Sequence, residues 1–336
     1  MPKATNALPT KIGGYKPTQQ LGKGAMGKVY LCHDPSMDRM VVVKQMHEGL
    51  MSQHDIEARF IREATVMAHL NHPNIIQPHA LWKEKDGNLS LSMEFVHGKS
   101  LREILDKCCC PPIWVVMEIT YQILLALDHA HRQGVIHRDL KPANMMVDKD
   151  GRVRLLDFGV AHAETEDTTL TIAGSVIGTA TYMSPEQTMG YDITPASDLF
   201  SIGIVLSEML IGKNLFRGEN VEQTAKRIQK MKLSMEAFPK EAPKKLCKLA
   251  LKLLSKKAKD RPISACDAAD ALSHMMKDYP RDLSPYLAEW IKSTMSDSEF
   301  ELQIPTYQNK TKFVFVVGIS IGLLVASSIA ALIHFI

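Results

Sequence analysis

The residues best suited to chemistry lie in two short motifs near the middle of the chain. The first reads HRDLKPAN from His137 to Asn144, and the second, DFG, begins at Asp157, thirteen residues after Asn144. They supply a candidate base, a lysine and two oxygen ligands. Such a set suits transfer of a phosphoryl group from ATP to a hydroxyl, because that reaction needs positioning and charge compensation.

The stretch between the two motifs predicts a β-hairpin. Two short apolar runs, 145–147 and 153–156, flank an Asp/Gly turn. Folding this hairpin places Asn144 and Asp157 side by side, as a site that suits Mg²⁺, with Mn²⁺ as an alternative ion. Asp139 is then placed to accept the proton of an incoming hydroxyl, and Lys141 to neutralise the transferring group. The alternative is a hairpin with ordinary turn acids, which would not explain why both motifs occur together.

A glycine-rich segment lies upstream of these motifs. Residues 21–29 contain the pattern G-x-G-x-x-G-x-V, which alone is weak because dinucleotide-binding turns share its glycines. Those turns lead into a helix, whereas 29–31 continue as a strand, which favours a hairpin lying over phosphates. The residues predicted to contact ATP here are Leu21, Gly22, Lys23, Gly24, Ala25, Met26, Gly27 and Val29.

A lysine and a glutamate are predicted to pair beside this segment. Lys44 ends an apolar strand that begins at Val41. Glu63 falls on the apolar stripe of a helix predicted over 55–70, together with Ile56, Phe60 and Met67. A carboxylate on a buried face needs a partner, and Lys44 is the natural candidate. Lys44 would then hold the α- and β-phosphates; the alternative is a lone surface lysine.

Taken together, the motifs resemble the eukaryotic-like (Hanks-type) serine/threonine protein kinases over roughly 15–279. Further matches, in the family's order, are GTATYMSPEQ at 178–187, SDLFSIG at 197–203 and DRP at 260–262. The first is most similar to the membrane-anchored bacterial branch. The resemblance implies an α+β, two-lobed fold. Its N-lobe is small and β-rich with one key helix, its C-lobe is mainly helical, and ATP binds between them.

The same resemblance assigns residues around the adenine of ATP. Residues 92–96 resemble the hinge between the lobes, with Met93 as gatekeeper and the backbone of Glu94 and Val96 meeting adenine. Val42 stands where the family usually has alanine, so it is expected to narrow this pocket.

Other roles implied by the resemblance are structural or regulatory. Glu186 is expected to pair with Arg261, and Asp198 to brace the catalytic loop. Residues 157–186 resemble an activation loop and contain several threonines, of which Thr169 and Thr171 are the preferred phosphorylation sites.

The remaining features of the sequence indicate how the chain is divided into segments. The formal net charge of +3 over 336 residues indicates no nucleic-acid partner. Residues 1–14 are predicted to be a flexible leader, 15–279 the kinase domain, 280–312 a juxtamembrane linker and 313–335 a transmembrane helix.

The predicted span also implies a location and a partner. Lys310 and Lys312 precede it, so the positive-inside rule keeps the kinase domain on the cytoplasmic side of the cell membrane, with a single pass. Small residues recur every fourth position at Gly318, Gly322, Ala326 and Ala330. Such a stripe lets two helices approach closely, which would allow a homodimer; the alternative is the ordinary Gly and Ala content of a membrane span.

Two other kinds of protein share part of this residue pattern. A membrane-tethered pseudokinase would bind partners without turnover, but Lys44, Asp139 and Asp157 are all present. A small-molecule kinase would share Asp139 and Asn144, but the Ser-Pro-Glu segment at 184–186 and the long activation loop disfavour it. The sequence therefore predicts proteins with Ser or Thr as substrates.

Overall fold

The N-terminal lobe is a five-stranded antiparallel sheet with one helix. A computed structural model of the chain describes residues 8–23, 27–46, 54–84, 87–158, 180–296, 301–303 and 314–316. The sheet has the order β1-β2-β3-β5-β4 and helix α1 follows β3. The elements are β1 (Lys16–Lys23), β2 (Gly27–Asp34), β3 (Arg39–Met46), α1 (His54–His69), β4 (Pro78–Lys83) and β5 (Leu89–Glu94).

Strand alternation in β3 decides which side chains reach the interlobe cleft. Val41 and Val43 are fully buried in a small cluster with Tyr30 and Cys32 on one face of the sheet. Because successive side chains of a strand point to opposite faces, Val42 and Lys44 lie on the other face. The close pairing of β2 with β3 requires a glycine at position 27, since a Cβ there would collide with Gln45 O.

The C-terminal lobe is mainly helical and is built around one buried helix. Every residue from Ser197 to Leu210 of helix α5 (Pro195–Ile211) is buried, including the carboxylates of Asp198 and Glu208. The helices are α2 (Leu101–Cys108), α3 (Ile113–Arg132), α4 (Pro185–Met189), α5 (Pro195–Ile211), α6 (Val221–Lys230), α7 (Lys244–Leu253), α8 (Ala265–Met275) and α9 (Ser284–Met295). A three-stranded sheet lies on the cleft side of this lobe. It consists of β6 (Gly98–Ser100), β7 (Met145–Asp148) and β8 (Val153–Leu155). The predicted two-lobed α+β fold is confirmed.

One helix in the described part of the chain is long and apolar enough to cross a membrane, and it is α3. It is 72% buried inside the protein and packs against α5 and α8, which is the environment of a core helix. The predicted transmembrane helix at 313–335 lies mostly outside the described residues. At Val314–Val316 the prediction was wrong, because these residues form strand β10, paired with β9 (Glu301–Gln303). β-Branched and aromatic side chains favour this extended backbone.

The folded part of the chain continues beyond the predicted domain end at residue 279. Leu287, Trp290 and Ile291 of α9 are buried in the main core. The first turn of α9 contacts the β7–β8 turn, where Gly151 has φ of +77° and a Cβ would collide with Ser284 O. Part of the stretch predicted as a linker, 280–312, is therefore a packed helix.

A buried ion pair between Arg261 and Glu186 joins two distant segments of the C-lobe. The Arg261 guanidinium, 0% exposed, donates two hydrogen bonds to the Glu186 carboxylate, at 2.6 and 2.9 Å. Ser197 Oγ donates a third, at 2.7 Å to Oε1. The pairing implied by the family resemblance is therefore present. Burial alone would raise the pKa of Glu186, but the hydrogen bonds from Arg261 and Ser197 lower it below its ordinary value of 4.5.

We predict that Glu186→Gln lowers the free energy of unfolding at pH 7 by roughly 3–5 kcal/mol, because it leaves the Arg261 charge buried and uncompensated. Since the pKa of Glu186 is depressed on folding, its stabilisation is present above pH 4.5 and is lost as the pH falls through the lowered value. Urea titrations of both proteins at pH 7 and pH 4 measure this, and the difference should shrink at pH 4. Glu241→Gln, at an exposed site, is the control; equal stability of wild type and Glu186→Gln at pH 7 would contradict the prediction.

Candidate active site

The hairpin that follows the catalytic loop brings the two predicted metal ligands together. β7 and β8 pair antiparallel with Met145 opposite Leu155. Beyond this pair, Leu156 N donates to Asn144 O at 2.9 Å, which fixes the two ends of the hairpin side by side. Asp157 follows directly, with φ of +41°, a left-handed conformation that costs free energy in a non-glycine residue.

The carboxylate of Asp139 is held from two sides. Lys141 Nζ lies 2.8 Å from Oδ2 and 3.1 Å from Oδ1, and Asn144 Nδ2 donates to Oδ2 at 3.0 Å. The Asn144 amide also donates to Asp139 O at 2.9 Å. Asp139, Lys141 and Asn144 of the HRDLKPAN motif thus form one network, and Asp139 is fixed beside Asp157 and Asn144.

The backbone of the catalytic loop is fastened to the C-lobe core by Asp198. This carboxylate, 1% exposed, accepts from His137 N at 2.8 Å, from Arg138 N at 2.9 Å and from His131 Nε2 at 2.8 Å. Gln187 Nε2 donates to Arg138 O at 2.7 Å. Arg138 has φ of +68°, so these bonds hold a strained residue immediately before Asp139.

Lys44 links the N-lobe to this site. Its Nζ lies 3.2 Å from Glu63 Oε1 and 3.3 Å from Asp157 Oδ1. Burial alone would lower the pKa of Lys44, but the neighbouring Asp157 and Glu63 carboxylates raise it above its ordinary value. Lys44 in turn lowers the pKa of Asp157. The predicted Lys44–Glu63 pair is present, and it also includes Asp157, so β3, α1 and the DFG motif meet at one ammonium group.

The other residues predicted to contact ATP lie on the strands around the cleft. Val42 is paired with Leu31 of β2 and Met93 of β5, and Val29 is paired with Lys44. Glu94 N donates to Gln77 O at 3.0 Å, so its carbonyl is the backbone group of Glu94 left to meet an adenine. The remaining positions are Leu21, Gly22 and Lys23 at the end of β1, Gly27 at the start of β2, and the buried Val96 after β5.

Several predicted site residues lie outside the described part of the chain. They are Gly24, Ala25 and Met26 of the glycine-rich segment, and Thr169 and Thr171 of the activation loop. Their roles stay predictions.

Comparison with known proteins agrees with this geometry. The protein kinase domain family matches residues 15–276, which is most of the chain. The chain belongs to the protein kinase family. The catalytic loop, the DFG motif and the Lys44–Glu63 pair therefore lie within a recognised protein kinase domain.

Three bacterial serine/threonine-protein kinases are similar to this kinase domain. A probable serine/threonine-protein kinase PknB of Bifidobacterium longum is 33% identical over 82% of this chain and 42% of its own length. Serine/threonine-protein kinase pkn3 of Myxococcus xanthus is 37% identical over 75% of this chain and 48% of its own. PrkC of Bacillus subtilis, also a serine/threonine-protein kinase, is 35% identical over 73% and 38% respectively. The predicted resemblance to bacterial serine/threonine kinases is confirmed, and the chain spans less than half of each of these relatives.

The role of His137 in the kinase site was not predicted from the sequence. Its Nε2 lies 2.8 Å from Leu156 O and its Nδ1 accepts from Asp139 N at 3.3 Å. Burial lowers the pKa of His137, so the neutral ring with a proton on Nε2 satisfies both bonds. The ring also packs against Phe158, at 4.6 Å between centroids. No local sequence pattern indicates this link, because His137 and Leu156 lie 19 positions apart in the chain.

The protein kinase domain implies use of ATP with a divalent metal ion, and the residues present fit such an ion. Asn144 uses its amide nitrogen on Asp139, which leaves its Oδ1 as a neutral oxygen donor. Asp157 supplies a carboxylate with its side chain 46% exposed to the cleft. One amide and one carboxylate oxygen match a hard cation that shares its other positions with phosphates and water.

We predict that Glu63→Gln weakens ATP binding about tenfold, because the lost charged hydrogen bond to Lys44 is of the class that contributes roughly 1.5–3 kcal/mol. Glu57→Gln is the matched control, since Glu57 lies on the same helix and pairs with exposed Lys83 at 3.0 Å. Calorimetric titration with ATP and Mg²⁺ gives the dissociation constants. Equal values for wild type and Glu63→Gln would show that Lys44 needs no support from α1.

Proposed function

We propose that this chain is a serine/threonine protein kinase that transfers the γ-phosphoryl group of ATP to Ser and Thr side chains of proteins, including its own activation loop. The observation that supports this most directly is the convergence of Asp139, Lys141, Asn144 and Asp157 around one point. Lys44 reaches the same point from the other lobe at 3.3 Å from Asp157. Lys44, Asp139 and Asp157, whose absence would indicate a non-catalytic kinase, are all present.

Each residue has a defined part in the proposed transfer. Asp139 accepts the proton of the substrate hydroxyl as that oxygen attacks phosphorus. Lys141 compensates charge on the transferring group, and Lys44, held by Glu63, orients the α- and β-phosphates. Mg²⁺, held by Asn144 and Asp157, would draw charge from the phosphate oxygens. Catalysis on this scheme is mainly positioning and electrostatic stabilisation.

Autophosphorylation is proposed at Thr169 and Thr171. Arg138 supplies a cation immediately before Asp139, so a phosphate bound near it would act on the loop that carries the base. The backbone of Arg138 is already held on both sides, by Asp198 and Gln187. A phosphate would therefore bind beside a catalytic loop whose backbone is already held in its conformation.

We predict that the full chain gains mass on incubation with Mg²⁺ and ATP, in steps of one phosphoryl group, and that Asp139→Asn gains none. Asp150→Asn is the matched control, because Asp150 is an exposed turn acid of the adjacent hairpin. Intact mass spectrometry measures the gain, and peptide mapping should place phosphate at Thr169 or Thr171.

Two results would contradict parts of this proposal. Phosphate found only outside residues 165–179 would exclude Thr169 and Thr171 as autophosphorylation sites, although the protein would still be a kinase. Absence of any mass gain, with ATP bound as shown by calorimetry, would identify a binding scaffold instead.

We also propose that the chain is anchored in the cell membrane by its apolar C-terminal segment, with the kinase domain in the cytoplasm. Residues 317–335 contain no Asp, Glu, Lys or Arg. Nineteen residues at about 1.5 Å each nearly match a hydrocarbon core of roughly 30 Å. The support is composition and the preceding Lys310 and Lys312, and the spacing of Gly318 and Gly322 supports pairing of two such helices.

We predict that Gly322→Leu weakens self-association of the full chain in lipid nanodiscs or vesicles, because a larger side chain keeps two helices apart. Energy transfer between donor- and acceptor-labelled copies measures association, and Leu323→Ile is the control. Unchanged transfer would exclude pairing through this stripe, and failure of the chain to enter bilayers would exclude the anchor itself.

A further inference from the structure

A second cleft opens beside the proposed base, on the C-lobe side. Its volume is about 650 Å³, and it lies between α2, the catalytic loop, Tyr182 and the turn at 212–217 that follows α5. Lys141 lines this cleft while its Nζ lies 2.8 Å from Asp139 Oδ2. A polypeptide that presents a hydroxyl to Asp139 would therefore place its neighbouring residues in or near this cleft.

Both acidic groups of the cleft pair with Arg102. Arg102 Nη1 lies 2.8 Å from Glu208 Oε1, and Arg102 Nη2 lies 2.8 Å from Asp106 Oδ1. Tyr182 Oη donates to Glu208 Oε2 at 2.6 Å. The Glu208 side chain is 7% exposed, so its charge is both buried and paired. Glu208 therefore braces α2 against α5, whereas Asp106 pairs within α2 and is exposed. The lining of the cleft nevertheless has more cations than carboxylates, because Arg102, Lys141, Lys213 and Arg217 outnumber Asp106 and Glu208.

The rim of the cleft carries cations. Lys213 and Arg217 are exposed, and neither forms an ion pair with any residue in the described ranges. The turn that bears them is fixed by Asn214, whose Nδ2 donates to Thr181 O at 3.3 Å and whose Oδ1 accepts from Phe216 N at 2.9 Å. The backbone that carries the two cations is thus held in place at the edge of the cleft.

The basic surface continues from the rim onto α6. Arg227 of this helix donates to the backbone carbonyl of Arg217, which joins α6 to the turn. Lys226, Arg227 and Lys230 are exposed on α6. Residues 213–232 contain six Lys and Arg against two Glu, so the potential here is positive although the whole chain is nearly neutral.

We infer that this cleft takes acidic side chains of the substrate, so that the kinase prefers a Ser or Thr flanked by Asp or Glu. The cations of Lys213 and Arg217 attract carboxylates. The planar guanidinium of Arg217 can also form two parallel hydrogen bonds with a carboxylate. A substrate with Lys or Arg at the same positions would meet like charge, which supplies discrimination as well as attraction. The inference rests on the proposed protein kinase function.

The test uses the full chain in detergent or lipid and two peptides, each with one Thr, flanked by Glu in the first and by Gln in the second. The variants are wild type, the double variant Lys213→Glu/Arg217→Glu, and Lys11→Glu/Lys16→Glu, which changes charge equally at exposed N-lobe positions. The readouts are kcat/KM and the dissociation constant from fluorescence anisotropy.

For wild type we expect kcat/KM for the Glu peptide to exceed that for the Gln peptide by about tenfold, which corresponds to 1.4 kcal/mol. The ratio should fall to about one or below in Lys213→Glu/Arg217→Glu, stay unchanged in Lys11→Glu/Lys16→Glu, and decrease as salt rises. Equal kcat/KM for both peptides with wild type would overturn the inference while leaving the kinase. Selective binding of the Glu peptide without turnover would support the cleft assignment and overturn the proposed activity, and equal binding without turnover would overturn both.

Discussion

The buried carboxylate of Asp198 is the constraint on which the site depends. An isolated charge in the core of the C-lobe would be very unfavourable, and Asp198 is tolerated because two backbone N–H groups and His131 donate to it. The same bonds impose the left-handed backbone of Arg138, which directs Asp139 toward the cleft. A helix buried on all sides is a suitable base for this arrangement, since it cannot shift without disturbing the whole lobe.

The two lobes share one apolar core, and charge joins them within the cleft as well. Lys44 of the N-lobe sheet is shared by Glu63 of α1 and Asp157 of the DFG motif. Any movement of α1 away from β3 would leave the ammonium with one carboxylate fewer. The position of α1 and the orientation of Asp157 are therefore coupled through one side chain. Phe158, whose ring packs against His137, extends that coupling to the catalytic loop.

Much of this site could be predicted from the sequence because its determinants are local. The hairpin between Asn144 and Asp157 follows from two apolar runs and a turn, and the helical stripe through Glu63 singles out a buried carboxylate. The contacts of His137 and of Gln187 with the catalytic loop could not be predicted in this way, since they join residues distant in sequence. The packing of α9 was also missed, although Leu287, Trp290 and Ile291 have the i, i+3, i+4 spacing of an apolar helix face.

The position of α9 has a practical consequence for how this protein is shortened. The match to the protein kinase domain family covers residues 15–276, yet the helix that begins at Ser284 covers part of the main core and contacts the turn of the β7–β8 hairpin. A protein cut at the family boundary would expose an apolar surface next to the strands that carry Asn144 and Asp157. Such a surface invites aggregation, so low yield or weak activity of a fragment ending there would reflect the missing helix rather than a defect of the kinase.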